Sequence, residues 1–569
     1  MKDIKEHQSD KRVYNTFFNT HTVAGIIISI GVFVIFLAGA FALFQKEINN
    51  WEVNSQRSKI NLKDVDYDRI LAEVAKKGYQ MYARDFRIQL GENRGTHLGI
   101  RAGIPSNMIS KDSLGQLTTS DSLIYAEATA QINYVVDIQS YELMKPNEYG
   151  KAGQIGWILT QLHYFRQIPV VGIYLAGILS ILLLFALVSG VVIHWKKIVS
   201  NFFTFRLKSS IKNLWTDGHV ALGVLGLPYQ FMYAATGTIF GLTILALPII
   251  YLVFGDVNKG AAIILPRNEN YELIGEADQV HSINTHVQEF LGNLPSQDVK
   301  GFQMTVKSYG DQNAHLNLTS NIDTKLNFAG FAQSEFRLDD GELVYEKRLE
   351  ESSFRTSSLS YFIGLHFGNF GGLFVQIIYF IMAILTCFVI ISGVMIWLVA
   401  RDKKAYATKA RFNRNVGAIY LGACLGLYPA IALLFVIAKV LPLEMEIRYQ
   451  LINAVFFGFW LAFTIYAFFI KSSYKINKHA LLIAGGLGLL IPVLNGLQSG
   501  LWLWKSWDGG YEDSFIVDVF WLVSGAVTLY IGLRLKPQTE PVKANRKKRT
   551  YTNVAAKPLH AINPTPRTQ

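Results

Sequence analysis

Long apolar runs, separated by two long polar insertions, limit this chain to very few folds. A helix needs about 20 mostly apolar residues to cross the hydrocarbon core of a bilayer, and several runs are longer than that. Hydrophobic residues make up 51% of the 569 residues and charged residues only 17%, a balance typical of membrane proteins. The sequence therefore predicts an α-helical polytopic membrane protein of about eight spans, which has the lipid bilayer as a partner.

The predicted spans form two groups. The first four cover 22–45, 169–194, 219–254 and 372–400. The last four, at 416–440, 452–470, 480–500 and 514–535, form an appended four-span bundle over 416–535. The third span is too long for one crossing, so we expect its outer end to project or to bend near Pro248. The first run exceeds the apolar core of a signal peptide, and we expect an uncleaved span.

Basic residues predict the orientation of the spans. Half of the 54 lysines and arginines lie in 1–20, 195–218, 401–415, 471–479 and 533–569. The short loops 441–447 and 501–513 contain only Lys505. Because cytoplasmic loops carry such an excess, both termini should be cytoplasmic, with 1–21 at one end and a disordered basic tail, 536–569, at the other. This pattern explains the net charge of +12 without nucleic acid.

The two insertions, 46–168 and 255–371, then lie on the outer, periplasmic side. The first begins with a helix-like segment, YDRILAEVAKKGYQMYA, and continues with the strand-like FRIQL and INYVVDIQ. The second reads as a helix, THVQEFLGNL, followed by the strand-like FQMTVKSY, HLNLTS, SEFRLDDG and ELVYEKRLE, with DDG as a hairpin turn. In the first helix the apolar face consists of Ile70, Leu71, Val74 and Ala75. Each insertion is therefore predicted to be a small α+β module.

A repeated spacing of histidines and glycines connects the two halves of the first four spans. One histidine followed by two glycines occurs twice at the same intervals, as His21, Gly25, Gly39 and as His219, Gly223, Gly237. A second spacing, of 27 residues, separates His163 from Gly190 and His366 from Gly393. These repeated intervals predict a duplicated two-span unit, whose copies are related by an axis along the membrane normal.

The predicted topology assigns these histidines to two depths. His21 and His219 lie at the cytoplasmic ends of spans one and three, and His163 and His366 at the outer ends of spans two and four. Pseudo-two-fold symmetry would make the members of each pair face each other. Imidazole is a natural ligand of haem iron, and two axial ligands leave no open position for oxygen chemistry. The pattern therefore favours two b-type haems that carry electrons across the bilayer.

Alternatives stay open for several of these residues. Gly25 and Gly223 lie one turn deeper than their histidines on the same face, where a missing side chain lets a flat macrocycle contact the backbone. Close helix packing is the other explanation for these and the remaining glycines. His194 could replace His21 or His219 as the inner ligand, bind a propionate or lie at the interface. Each histidine could also be an interfacial, hydrated side chain, although four on matched spacings favour ligation.

Other kinds of site find no support in the sequence. Cys387 and Cys424 lie within apolar runs and form no CxxC or CxxCH motif. His281 and His286, five residues apart, are a poor helical metal pair, and we expect them at the surface. No GxGxxG after a strand and no P-loop is present, so electrons would have to come from a separate cytoplasmic donor.

Four segments resemble the PepSY-associated transmembrane family over roughly residues 15–401. These are HTVAGIIISIGVFVIFLAGAFALFQKEI, LHYFRQIPVVGIYLAGILSILLLFALVSGVVIHWKKI, DGHVALGVLGLPYQFMYAATGTIFGL and LHFGNFGGLFVQIIYFIMAILTCFVIISGVMIW. Characterised members look like iron-uptake proteins of bacterial inner membranes, including haem-containing ferric-siderophore reductases. The resemblance implies PepSY-like outer modules and two b haems, with His21, His163, His219 and His366 matching the family's helix-end histidines. The appended spans depart from the simplest four-span members.

Together these observations predict a di-haem electron-transfer protein of the bacterial inner membrane. It would reduce a ferric chelate, such as siderophore iron, held between the outer modules, and would belong to the oxidoreductases of iron uptake. Tyr164, Tyr361 and Phe362 are candidates for docking the chelate, although such aromatic clusters are also typical of interfacial belts. The alternatives are an iron or siderophore permease without a redox centre, or a membrane-anchored PepSY regulator of a peptidase or assembly partner.

Overall fold

The computed structural model describes most of the chain. The described residues are 2–54, 61–90, 97–103, 105, 109–111, 117–119, 130–145, 154–195, 198–203, 211–242, 246–256, 266–278, 281–294, 299–322, 330–348, 354–401 and 410–537. The predicted tail, 536–569, lies outside these residues from position 538 onward.

The helices and strands are as follows. The helices are α1 (Lys2–Ala42), α2 (Gln45–Val53), α3 (Tyr67–Ala75), α4 (Ile155–His163), α5 (Val171–His194), α6 (Ile198–Phe202), α7 (Ile211–Gly241), α8 (Ala246–Phe254), α9 (Ile283–Gly292), α10 (Phe354–Phe367), α11 (Gly372–Arg401), α12 (Ala410–Val440), α13 (Arg448–Ile470), α14 (Ser473–Ser499), α15 (Leu503–Asp508) and α16 (Glu512–Arg534). The strands are β1 (Phe86–Leu90), β2 (His97–Ala102), β3 (Ile109–Lys111), β4 (Leu117–Thr119), β5 (Ile132–Asp137), β6 (Leu143–Met144), β7 (Val299–Lys307), β8 (His315–Ile322), β9 (Phe331–Arg337) and β10 (Leu343–Lys347).

Four helices pack side by side in a closed ring, in the order α1, α5, α7, α11 and back to α1. They correspond to the first four predicted spans. Phe33, Phe36 and Tyr229 belong to the buried core that these helices share with the C-terminal helices. The short helices α4 and α10 pack on α1 and α7 respectively, and each leads into the next long helix of the ring.

Seven of the described helices are long and apolar enough to cross a membrane, namely α1 from Arg12 onward, α5, α11, α12, α13, α14 and α16. The chain is thus a multi-pass membrane protein. The predicted third span is not among the seven, although α7 lies in the ring. Its buried polar residues include Asp217, Gln230 and Thr236, and Gln230 bonds Thr386 of α11 at 3.3 Å. A helix surrounded by other helices can carry such groups because neighbouring side chains satisfy them.

The predicted span 219–254 is divided into two helices. α7 ends at Gly241, and α8 begins at Ala246. α7 is thus followed by a turn at Leu242, a few residues before Pro248, near which we had expected a bend, and residues 243–245 lie outside the described residues. Pro248 itself lies in the first turn of α8, a position at which proline is tolerated because its missing N–H would have no partner there.

Eight strands of the two insertions form one sheet, and β3 and β4 of the first insertion pair with each other in a second, two-stranded sheet. Eight strands follow one another in the order β10, β9, β8, β7, β1, β2, β5 and β6. β1 of the first insertion pairs antiparallel with β7 of the second, with Phe86 opposite Val306. The two predicted modules are therefore joined edge to edge. Each module covers a strand edge of the other, and that edge would otherwise present unpaired backbone groups.

The two insertions also share a hydrophobic core. Ile70, Leu71 and Val74 of α3 are buried together with Val287 and Phe290 of α9. Ala75, which we had placed on the same apolar face, is exposed, because α3 ends there. The predicted DDG turn connects β9 and β10, and Gly341 adopts the positive φ of 74° that this turn requires.

The C-terminal helices enclose α2 through buried polar contacts. α12 packs on α1 and α11, and α16 packs on α2. Trp51 of α2 donates from Nε1 to Asp518 of α16 at 2.8 Å. Glu52 forms a buried ion pair with Arg448 of α13 at 2.5 Å, and Lys439 of α12 donates to the Trp51 carbonyl at 2.7 Å. The appended bundle is thus continuous with the first half of the protein.

Candidate functional site

Two pairs of histidines lie within the helical ring. His21 of α1 and His219 of α7 have ring centroids 6.3 Å apart, with an interplanar angle of 76°. His163, the last residue of α4, and His366 of α10 have ring centroids 5.9 Å apart and an angle of 54°. All four side chains are partly buried. The structure therefore brings together the same pairs that the spacing in the sequence predicted; that they hold haem iron stays a prediction.

The His21 and His219 rings are held in the same way. Nδ1 of His21 lies 2.8 Å from the Ala186 carbonyl oxygen and 3.3 Å from Ser189 Oγ. Nδ1 of His219 lies 2.9 Å from the Val389 carbonyl oxygen and 3.0 Å from Ser392 Oγ. A carbonyl oxygen can only accept, so Nδ1 carries the hydrogen and Nε2 keeps its lone pair.

The other pair has one backbone and one side-chain partner. Nδ1 of His163 lies 2.8 Å from the Ile35 carbonyl oxygen of α1. Nδ1 of His366 lies 2.8 Å from Thr236 Oγ1, whose own hydrogen is directed to the Met232 carbonyl at 2.8 Å. The hydroxyl therefore accepts from His366, and Nε2 remains available in both residues. A metal-bound histidine typically donates its other N–H to such a partner.

Each pair has room for a metal atom between its two imidazoles. Bonds from a metal to an imidazole nitrogen are about 2 Å long, so rings roughly 6 Å apart could both bind one metal atom. Both observed separations, 6.3 and 5.9 Å, agree with this value. Among the described residues no group of three or more His, Cys, Asp or Glu side chains could hold a metal ion. The donor set at each pair is thus two neutral imidazoles, as for haem iron.

The pairs occupy different levels of the ring. His21 and the Ile35 carbonyl that binds His163 belong to the same helix, and residues 21 to 35 span about 20 Å at about 1.5 Å per residue. This separation is shorter than the ~30 Å thickness of a hydrocarbon core. Both sites therefore lie within the length of one membrane-spanning bundle.

The glycines of the repeat divide into two groups. A Cβ at Gly39 would lie 2.6 Å from His163 Nδ1, and one at Gly190 or Gly393 would lie 3.1 Å from Cε1 of His21 or His219. These three glycines give the rings room, and Gly237 gives room to Ser180. For this group the packing explanation holds.

Gly25 and Gly223 have no such packing partner. A Cβ at Gly25 would meet no protein atom within 4 Å, and one at Gly223 would meet only Val389 Cγ1 at 3.8 Å. Close contact between protein segments does not explain glycine at these two positions. Both leave bare backbone one turn from the histidine pair, on the face where the macrocycle contact was predicted.

His194 lies at the end of α5, near the His21–His219 pair. It is partly buried and close enough to both of these histidines for a charge on one ring to act on the others. At this level His21 and His219 are in direct ring contact. The alternative in which His194 replaces one of them as a ligand stays a prediction.

Aromatic side chains surround His366. The Tyr233 ring centroid lies 4.9 Å from that of His366, and its hydroxyl donates to the His366 carbonyl at 2.7 Å. Phe240 contacts the same ring edge-on at 5.1 Å. Of the predicted docking residues, Tyr164 directly follows His163, and Tyr361 and Phe362 lie in α10, all partly buried. Their docking role stays a prediction.

Reasoning from the sequence missed the residues that orient the rings. Ser189 and Ser392 each precede a glycine of the repeat, in SGVVI and SGVMI, so a repeated serine was the available signal. Thr236 left no such signal, because Ala38 occupies the equivalent position in the first half. The remaining partners are backbone carbonyls, which every residue carries.

Comparison with known proteins agrees with the resemblance seen in the sequence. The family model described as the PepSY-associated TM region matches residues 18–400, more than half of the chain, and the matched range contains all four paired histidines. A comparison with curated proteins found no match. The predicted family is confirmed, and this chain belongs to the PepSY-associated transmembrane family.

Proposed function

We propose that this protein is a di-haem electron-transfer protein of the bacterial inner membrane that reduces ferric chelates in iron uptake. The observation that carries the proposal is the geometry of the two histidine pairs. In each pair the rings lie about as far apart as two axial ligands of one metal would, and every Nδ1 already has a partner. Four interfacial histidines would not need such matched arrangements.

The chemistry follows from the ligand set. His21 with His219, and His163 with His366, would each hold a b haem, which would supply one-electron redox chemistry at that level of the ring. The chain's part is to present Nε2 of His21 and His219 at one level and of His163 and His366 at the other. The carbonyls that accept from Nδ1, and the Thr236 hydroxyl in the case of His366, fix the tautomer and the ring orientation. Such partners increase the basicity of the ligating nitrogen.

The direction of electron flow rests on the predicted topology. With both termini in the cytoplasm, a separate cytoplasmic donor would supply electrons at His21 and His219. The eight-stranded sheet is joined to the ring at the end where α1 finishes, near His163 and His366. Recurrence of the histidine, carbonyl and serine contacts at His21 and His219 supports a duplicated two-span unit, with both insertions as PepSY-like modules on the periplasmic side.

The substrate proposal is a ferric chelate such as a siderophore complex. Ferrous iron binds hard oxygen chelators less tightly than ferric iron does, so transfer of one electron would release the metal. Tyr164 directly follows His163, and Tyr361 and Phe362 precede His366 in α10. These three residues are the proposed contacts of the chelate.

A visible spectrum of detergent-purified protein tests the proposal. We expect a reduced-minus-oxidised spectrum of b-type haem, with two haems per chain. His163→Ala and His366→Ala should each lose the haem held by that pair and keep the other one. His21→Ala should lose the haem held with His219 and keep the haem of His163 and His366. Colourless protein, even when it is produced with ample haem, would contradict the proposal and leave the permease or the PepSY regulator, for which these four histidines should be dispensable.

A further inference from the structure

Two other histidines meet on the side of the sheet that carries α9. His281 precedes α9 and His286 lies within it, and their ring centroids are 6.3 Å apart at an angle of 48°. In one continuous helix, residues five apart point to different faces. α9 begins only at Ile283, so the spacing rule that made this a poor pair does not apply. The expected surface position is also wrong for His286, which is only 6% exposed.

His286 is buried without a polar partner. Neither ring nitrogen has a hydrogen bond, and one face of the ring stacks on Phe336 at 4.5 Å. A buried polar group normally has a partner, and an exception points to a bound water or ion. An apolar side chain would fill this space at less cost in free energy. The two unbonded ring nitrogens of His286 therefore indicate a bound ligand.

Gly341 leaves a gap between the two rings. A Cβ at this position would lie 3.5 Å from His281 Nδ1 and 3.6 Å from His286 Nε2. The gap is thus lined by one nitrogen from each histidine and by glycine backbone in the β9–β10 turn. Any other residue at position 341 would place its side chain between the two nitrogens.

Two carboxylates lie near the gap. The charges of Asp68 and Glu289 act on His286, although burial of the ring opposes a positive charge on it. Asp68 is fixed at this place, because its carboxylate accepts from the backbone N–H of Ile283 at 3.1 Å and from Ser282 Oγ at 2.6 Å. His281 is exposed, so the gap can be reached from solvent on that side.

We propose that His281 and His286 bind one divalent transition-metal ion on the sheet, at a site separate from the two histidine pairs of the ring. Neutral imidazole is a preferred ligand of zinc, copper, nickel and iron. The described residues offer no third His, Cys, Asp or Glu ligand at this place, so water completes the coordination, as in open metal sites. This inference does not depend on the presence of haem.

Equilibrium dialysis of the full-length protein, as purified in detergent and washed with EDTA, against zinc chloride tests the site. We expect His281→Ala to bind one zinc fewer per chain than the unaltered protein, and His286→Gln to show the same loss. Because the His281 side chain is exposed, its removal should leave the melting temperature in the absence of zinc unchanged.

Thr285→Ala, an exposed change on the same helix, is the matched control and should keep the zinc. Equal zinc binding by His281→Ala and the unaltered protein would overturn the proposal, whatever the haem content of either. So would a zinc affinity that falls less than tenfold in both histidine variants.

Discussion

The Nε2 atoms of His21 and His219 are available to a ligand because the hydrogen-bond partner of each ring binds Nδ1. A buried N–H that loses its acceptor costs about 1–3 kcal/mol, so the bonds from Nδ1 to the carbonyls of Ala186 and Val389 hold each ring in one tautomer. Two kinds of glycine lie beside these rings. A side chain at Gly190 or Gly393 would crowd a histidine ring, whereas one at Gly25 or Gly223 would crowd no atom of the protein.

Gly25→Ala distinguishes the two explanations of this glycine. Alanine in mid-helix is favoured over glycine by about 0.5–1 kcal/mol, and its Cβ would meet no protein atom, so the protein should not lose stability. If the backbone contacts haem, the Cβ should lower the haem content from two per chain toward one. The measurements are haem per chain and melting temperature.

Gly458→Ala is the control, since a Cβ there also meets nothing within 4 Å and the residue lies in α13, away from the ring. It should keep both haems. Two haems in Gly25→Ala would show that Gly25 makes no haem contact, without affecting the ligand assignment.

Among the elements, the segment 266–278 lies across the polar face of the sheet. Tyr271 stacks on His315 of β8 with centroids 3.6 Å apart and an angle of 3°. Glu335 of β9 accepts from the Tyr271 hydroxyl at 2.5 Å and pairs with Arg267 at 3.1 Å. The segment is therefore attached by buried polar contacts, which depend on charge.

Acid should weaken this attachment through His315. Burial, followed by the charges of Arg337 and Arg267, lowers the pKa of His315 from 6.5 to about 4. Glu335 lies 3.5 Å from Nδ1, but Arg267 and Tyr271 already engage its carboxylate. Because the folded state binds the proton less well, this stability is present above pH 6.5 and is lost as the pH falls toward 4.

Between pH 7.5 and 5 the loss should be on the order of 2 kcal/mol. Unfolding of the sheet region at both pH values, followed by hydrogen exchange, measures it. His315→Gln should show a smaller difference between the two pH values than the unaltered protein. An unchanged pH dependence in this variant would mean that other groups cause the effect.

For the molecule as a whole, the appended bundle packs on the helical ring and on α2, the helix that follows α1. α2 connects the ring to the sheet, and its buried Trp51 and Glu52 bind residues of α13 and α16. The sheet itself joins both insertions through β1 and β7. The bundle and the ring therefore hold each other in place, although the family match ends at residue 400.

Arg448→Leu tests whether the bundle stabilises this junction. The change leaves Glu52 as an unpaired buried charge, which costs about 3–5 kcal/mol. We expect a clearly lower melting temperature in detergent, measured from tryptophan fluorescence. Lys505→Ala, an exposed change in the same bundle, should have no such effect. A melting temperature equal to that of the unaltered protein would mean that the ion pair does not stabilise the junction.

Local patterns in the chain were sufficient for the multi-pass membrane class, the family and the partners within each histidine pair. Apolar runs report membrane helices because the bilayer sets their length, and matched intervals along two similar halves identify positions that face each other. The strand segments were also readable, since FRIQL became β1 and INYVVD became β5.

Only the tertiary structure decided which groups satisfy the polar atoms. The β1–β7 pairing joins segments more than 200 residues apart through backbone groups that every residue carries. The same is true of the carbonyls at Ala186, Val389 and Ile35, and of the gap that Gly341 leaves between His281 and His286. The amino-acid pattern thus determined which segments are buried, whereas long-range backbone contacts, which carry no side-chain signature, determined how the histidines are held.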